Sequence, residues 1–178
     1  MSRYQERIES FTGYCVCDDC KTPTEEQLQA VEREIGAVLP ADYREFLTHY
    51  GGYAAYSGSL SSRILKAFPG ADFIGEEVPV NVFLGIKEDS SGAYDLLSTY
   101  YCFRERMPFN FLPIAIDLLG NMICLAVSGE DQGSVYYWDR ECEEDVDEGE
   151  EPGYSNVYLL AISFDEFINM LQFEREEE

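Results

Sequence analysis

The sequence holds one histidine, His49. That scarcity removes most Ser-His-Asp, Cys-His and multi-histidine metal arrangements. Basic residues are also few, with 12 Lys+Arg against 35 Asp+Glu and a formal net charge of −23. A chain so charged repels nucleic acid and anionic membrane and attracts basic protein surfaces. No apolar run approaches the roughly 18 residues needed to span a bilayer. The polar start, Met1-Ser-Arg-Tyr-Gln-Glu-Arg, lacks the apolar stretch of a signal peptide. The expectation is a soluble cytoplasmic protein that touches neither nucleic acid nor membrane. No G-x-x-x-x-G-K-[ST] or G-x-G-x-x-G phosphate loop is present, and no cofactor is expected.

What is abundant is apolar and aromatic. Hydrophobic residues make up 46 % of the chain and aromatics 14 %, too many for a disordered acidic protein, so the charge belongs on the outside of a folded body. At 178 residues one domain with a real core is expected over 1–178, since halving it would leave two marginal pieces. The acid is concentrated between Glu141 and Glu151, where eight of eleven residues are Asp or Glu. This block follows the strand-like Val135-Tyr-Tyr-Trp138 and precedes the apolar 157–162.

Six cysteines raise the question of a metal. Cys15, Cys17 and Cys20 form C-x-C-x-x-C, a spacing that can share a zinc ion, yet tetrahedral zinc takes four ligands and no second CxxC exists. A fourth ligand would have to be Cys102, Cys124 or Cys142. Reduced thiols are the favoured reading, with Cys102 and Cys124 in apolar surroundings as small hydrophobes. The segment 145–151 has the acids of a calcium loop. However, its glycine stands fifth rather than sixth, and position twelve is Asn156, so no dedicated Ca²⁺ site is expected.

Periodicity and punctuation lay out the chain. Tyr4, Ile8 and Phe11 share a helical face in 2–11. Thr24 with Gln27 forms a capping-box pattern before Leu28, Val31 and Ile35, and Gly36 suits the left-handed helix end. Pro40 opens a helix carrying Tyr43, Phe46, Leu47 and Tyr50, and Gly51-Gly52 stop it. Residues 80–86 read as one strand and 93–106 as a helix. Segments 111–116, 121–127 and 134–139, joined by the turns 117–120 and 128–133, suggest an antiparallel meander. Ser163 caps a last helix with Phe164, Phe167, Ile168 and Leu171 as its stripe, and 174–178 reads as a frayed acidic tail. The fold expected is α+β: a mainly antiparallel sheet with N-terminal helices and a C-terminal helix packed against it. Residues 1–23 form a Cys-bearing extension and 24–173 the core.

The order of these elements resembles a known family. Glu32, Ile35-Gly36, Leu39-Pro40, Asp42-Tyr-Arg-Glu-Phe-Leu47 and Tyr50-Gly-Gly52 are similar to the N-terminal signature of the SUKH superfamily, which contains bacterial toxin-immunity proteins and a yeast regulator of cell-wall glucan synthesis. Leu112-Pro-Ile-Ala-Ile-Asp117, Gly120-Asn121, Val135–Asp139 and Ser163-Phe-Asp-Glu-Phe167 follow in the family's order. The Cys-bearing N-terminus and the acidic 141–151 depart from it. Each signature residue also has a structural reason to be there, and Trp138 is expected under the meander.

The resemblance implies a non-catalytic immunity protein that neutralises a cognate toxin. An intracellular scaffold or regulatory module of the same fold is the alternative. Nuclease toxins carry basic clefts for phosphates, and an acidic surface can dock across such a cleft. The partner-binding candidates are Tyr136 and Tyr137 as exposed aromatic anchors, with Glu141, Glu143, Glu144, Asp145, Asp147 and Glu148 as steering charge. Neutralising Glu143, Glu144, Asp145 and Asp147 is expected to leave folding intact.

Overall fold

A computed structural model describes residues 3–11, 13–15, 22–55, 58–88 and 92–175. Cys17, Cys20 and 176–178 lie outside the described residues.

Three helices form where apolar spacing and punctuation predict them. In α1 (Gln5–Ser10) Ile8 is buried, flanked by buried Tyr4 and Phe11. In α2 (Glu25–Ile35) the Gln27 amide N–H donates to Thr24 Oγ1 at 3.2 Å and the Thr24 N–H to Gln27 Oε1 at 2.8 Å. This reciprocal cap satisfies two otherwise unpaired donors. Gly36 then ends the helix at φ +68°. Helix α3 (Ala41–Tyr50) buries Tyr43, Phe46 and Leu47.

Two antiparallel sheets follow. The larger has eight strands: β1 (Gly13–Cys15), β2 (Tyr53–Ala55), β4 (Lys66–Ala67), β6 (Val82–Phe83), β7 (Phe111–Ile116), β8 (Met122–Ala126), β9 (Val135–Trp138) and β10 (Val157–Ala161), in the order β1-β2-β6-β7-β8-β9-β10-β4. The smaller orders β11 (Gln172–Arg175), β3 (Gly58–Arg63) and β5 (Glu77–Val80). Helix α4 (Leu96–Phe103) lies before the meander and α5 (Phe164–Met170) closes the chain on the core. The expected α+β fold with its β7–β8–β9 meander is the observed one.

Three elements differ from expectation. Residues 80–86 are not one strand: Val80 pairs with Leu60 in the small sheet, and Val82 pairs with Ile116 in the large one. The chain crosses between sheets at Asn81, whose N–H donates to the Ile116 carbonyl at 2.9 Å. Helix α4 begins only at Leu96, because Asp95 caps it by accepting the Ser98 N–H at 2.8 Å. The start of the supposed tail, Glu174-Arg175, is the end of β11 and pairs with Ser59 and Gly58. Phe173 packs against the core and fixes that register.

The central strands are covered on both faces. Val135 and Tyr137 face the main core, with Phe46, Phe83, Phe164 and Phe167. Tyr136 and Trp138 face a second cluster with Met107, Phe111, Met122, Cys124 and Val157. Alternate residues of one strand therefore serve two cores, as the period of two requires. The second cluster lies beneath the acidic segment.

Candidate functional site

The acidic segment leaves β9 at Asp139 and returns to β10 at Val157. Its neck is closed by the fully buried Asn156, whose Nδ2 donates to the Asp139 carbonyl at 2.8 Å, while the Asp139 N–H donates to the Asn156 carbonyl at 3.0 Å. Two 3₁₀ turns, Arg140–Cys142 and Val146–Glu148, give it shape. Asp139 Oδ1 accepts the Glu141 N–H at 3.0 Å, and Asp145 Oδ1 accepts the Glu148 N–H at 3.2 Å. Asx side chains that bond to backbone a few residues on are what such turns use.

The carboxylates divide into two sets. Glu143 holds Arg106 with both oxygens, one of them 3.0 Å from Nε. Arg106 in turn lies over the Phe103 ring at 4.9 Å, and Phe103 meets Trp138 edge-on at 6.0 Å. Glu144 Oε1 accepts the Ser155 hydroxyl at 2.5 Å and Oε2 the Gly153 N–H at 3.3 Å. Arg106, Glu143, Glu144, Asp145 and Val146 line a groove of about 430 Å³. Glu143 and Glu144, expected as steering charge, are thus bonded to residues outside the acidic block, whereas Asp145 is exposed and caps the second turn. Glu141, Glu148 and Glu151 are exposed, as is Glu150, whose Oε2 accepts the Asp145 N–H at 2.8 Å. The side chain of Asp147 lies outside the description.

Tyr136 and Tyr137 are not exposed anchors. Each is 4 % exposed. Tyr136 stacks on Phe111 at 4.9 Å and donates its hydroxyl to Asp131 at 2.8 Å. Tyr137 donates to Asp117 Oδ2 at 2.8 Å, and burial, then Asp117, pushes its phenol well above the ordinary range. Two adjacent strand residues point to opposite faces, and here both faces are covered. The sequence shows one aromatic run; only the second cluster reveals that neither face is open.

Exposed apolar groups lie elsewhere. Leu118 and Leu119 stand in solvent at the β7–β8 turn, which touches the acidic loop. The Arg140 N–H donates to Asn121 Oδ1 at 3.0 Å. Their only sequence signal is an apolar pair inside a turn.

Among the described residues the thiols share no site, and the side chains of Cys15, Cys17 and Cys20 lie outside the description. Cys124 is buried beside Met107, and burial pushes its pKa up. Cys102 is exposed, against the expectation of apolar surroundings. Cys142 is exposed, and the neighbouring Asp139 carboxylate, then burial, holds its thiol up, which keeps it from acting as an activated thiolate. Among the described residues no three His, Cys, Asp or Glu side chains converge to hold a metal ion. His49 sits in the last turn of α3 with Nδ1 2.9 Å from the Glu45 carbonyl oxygen.

Residues 22–170 match the SMI1/KNR4 family (SUKH-1). The chain belongs to that family. Over 178 aligned residues it is 30 % identical to the SPbeta prophage-derived uncharacterized protein YokK of Bacillus subtilis (strain 168), covering 94 % of this chain and 83 % of that relative. The SUKH-1 signature residues have visible work in this fold. A Cβ on Gly85 would lie 2.5 Å from the Gly52 nitrogen, so the Gly51-Gly52 corner and Gly85 touch backbone to backbone. Asp117 Oδ1 accepts the Leu119 and Asn121 N–H groups at 2.8 and 2.9 Å, and Gly120 turns at φ +85°. Trp138 is buried beneath the acidic loop. Among the described residues no helix is long and apolar enough to cross a membrane.

Proposed function

We propose that this SUKH-1 chain is a non-catalytic immunity protein that binds and neutralises a cognate bacterial toxin of basic, nuclease type. It docks its acidic loop over the toxin's cleft and touches neither nucleic acid nor membrane. The observation that carries the reading is the division of labour in the loop. Glu143 and Glu144 tie it to Arg106, Gly153 and Ser155, Asp145 and Glu150 cap its turn from exposed positions, and Glu141, Glu148 and Glu151 stand outward. A braced loop presents its charge without the ordering cost that a flexible one incurs on binding. The net charge of −23 adds long-range attraction for a basic partner. The prophage origin of the Bacillus subtilis relative fits a mobile accessory gene.

Steering predicts the test. Glu141→Gln, Glu148→Gln and Glu151→Gln together should slow association with the toxin domain encoded beside the gene and flatten its salt dependence. Dissociation should change little, because rim charges act on encounter. An unchanged association rate at low salt would make the loop a solubility feature.

A second reading, a scaffold or regulatory protein-interaction module, draws on the edge of the large sheet. There β4 borders a groove of about 540 Å³ with Leu65, Lys66, Asp72, Ile74 and Tyr158 in its walls, and Phe73 stands 88 % exposed. A gene without a neighbouring toxin would favour this alternative.

A further inference from the structure

At the tip of the β7–β8 hairpin two consecutive leucines face solvent, Leu118 at 79 % and Leu119 at 68 % exposure. The fold does not ask for them. The turn is made by Asp117 Oδ1, which accepts two backbone N–H groups, and by Gly120 at positive φ. Neither leucine belongs to a core cluster. Turn corners ordinarily carry Gly, Pro, Asn, Asp or Ser, so a leucine pair here leaves apolar surface that folding does not bury.

This tip and the acidic loop are one surface. The Arg140 N–H bonds to Asn121 Oδ1 at 3.0 Å, and a Cβ on Gly120 would meet Arg140 Nη1 at 3.4 Å. Arg140, half-buried, lies over Phe103 at 5.9 Å. The exposed Glu141 is the next residue, with Glu148, Glu150 and Glu151 further along the same loop.

We infer that Leu118 and Leu119 are the apolar anchor of the acidic docking surface, and that its partner is a basic protein whose cationic face surrounds an apolar recess. The inference rests on the immunity reading. Charge and apolar contact then have separate kinetic roles: outward carboxylates set the encounter rate, and the leucines, covered on binding, set the lifetime of the complex. A membrane is the wrong occupant, because an anionic bilayer repels so acidic a surface.

The test measures binding kinetics against the toxin domain encoded beside the gene, with its catalytic residue replaced, for three forms: the unmodified chain, Leu118→Ser with Leu119→Ser, and Leu118→Met with Leu119→Met. The serine pair should raise the dissociation rate at least about tenfold, since a buried leucine side chain is worth that much or more. Its association rate and salt dependence should stay unchanged. The methionine pair should restore most of the lifetime, and thermal unfolding of all three should coincide. A serine pair that dissociates at the unmodified rate overturns the anchor and leaves the immunity reading standing. No binding by the unmodified chain, or no toxin gene in its neighbourhood, removes both. Leucine-dependent sedimentation with phosphatidylcholine vesicles would make the tip a lipid contact and overturn the protein partner.

Discussion

Two triple substitutions that change charge equally should differ in stability. Glu143→Ala, Glu144→Ala and Asp145→Ala remove three negative charges, as do Glu141→Ala, Glu148→Ala and Glu151→Ala, so relief of repulsion in a chain of net charge −23 is matched. Only the first set removes bonds that shape the loop. The Glu143–Arg106 pair has side chains 22 % and 36 % exposed, so screening discounts it to about 1 kcal/mol. Glu144 loses its bonds to Ser155 and Gly153, about 1–2 kcal/mol for charge-assisted contacts that are half solvated. The Asp145 cap on Glu148 adds about 0.5–1 kcal/mol. The sum is about 3 kcal/mol, or a fall in Tm of roughly 6–12 °C at this chain length. The second triple should lie within about 0.5 kcal/mol of the unmodified protein. Scanning calorimetry with urea titration measures both. Equal Tm values for the two triples would refute the claim that the loop is braced by its own acids.

Further outcomes follow from other parts of the fold. Gly85→Ala places a methyl group 2.5 Å from the Gly52 backbone nitrogen, where nothing flexible can yield, and should cost several kcal/mol or abolish soluble expression; unfolding at the unmodified midpoint would contradict the close approach. Stability should fall as pH rises above about 10, the phenol value of the unfolded chain. Burial raises the phenols of Tyr136, Tyr137 and Tyr158 in the folded state, that of Tyr158 to about 12. The folded form therefore binds protons that the unfolded form has released, and stability is full below the unfolded value and lost above it. Urea midpoints across the alkaline range, read beside phenolate absorbance, check this, and a flat profile would count against it. Protein purified without chelator should carry no stoichiometric zinc. One tightly held zinc per chain, lost on Cys15→Ser with Cys17→Ser, would assign the N-terminal thiols a metal after all.

Local chemistry was legible wherever a short stretch of chain decides the outcome. The capping box at Thr24 and Gln27, the helix stop at Gly36, the Asp117–Gly120 turn and the Ser163 cap all form as read, because each needs only partners within four residues. The small sheet was not legible. Strand β3 is rich in serine and buries only Leu60 and Ser62 of its described side chains, so it carries little apolar alternation, and its partner β11 comes from the far end of the chain.

The candidate site divides along the same line. The sequence by itself determined that the chain is acidic, that the acids gather between β9 and β10, and that one histidine excludes a multi-histidine metal site, since composition and spacing do not depend on folding. Which acids are bonded to the rest of the fold was decided by tertiary structure alone. Arg106 reaches Glu143 from 37 residues away, and Ser155 reaches Glu144 across the loop. The tyrosines were likewise claimed by packing, because strand alternation sends Tyr136 to one core and Tyr137 to the other. A side chain's freedom is set by what lies within a few ångströms of it in space, and for this loop those neighbours are brought by the turn after α4 and by the segment leading into β10.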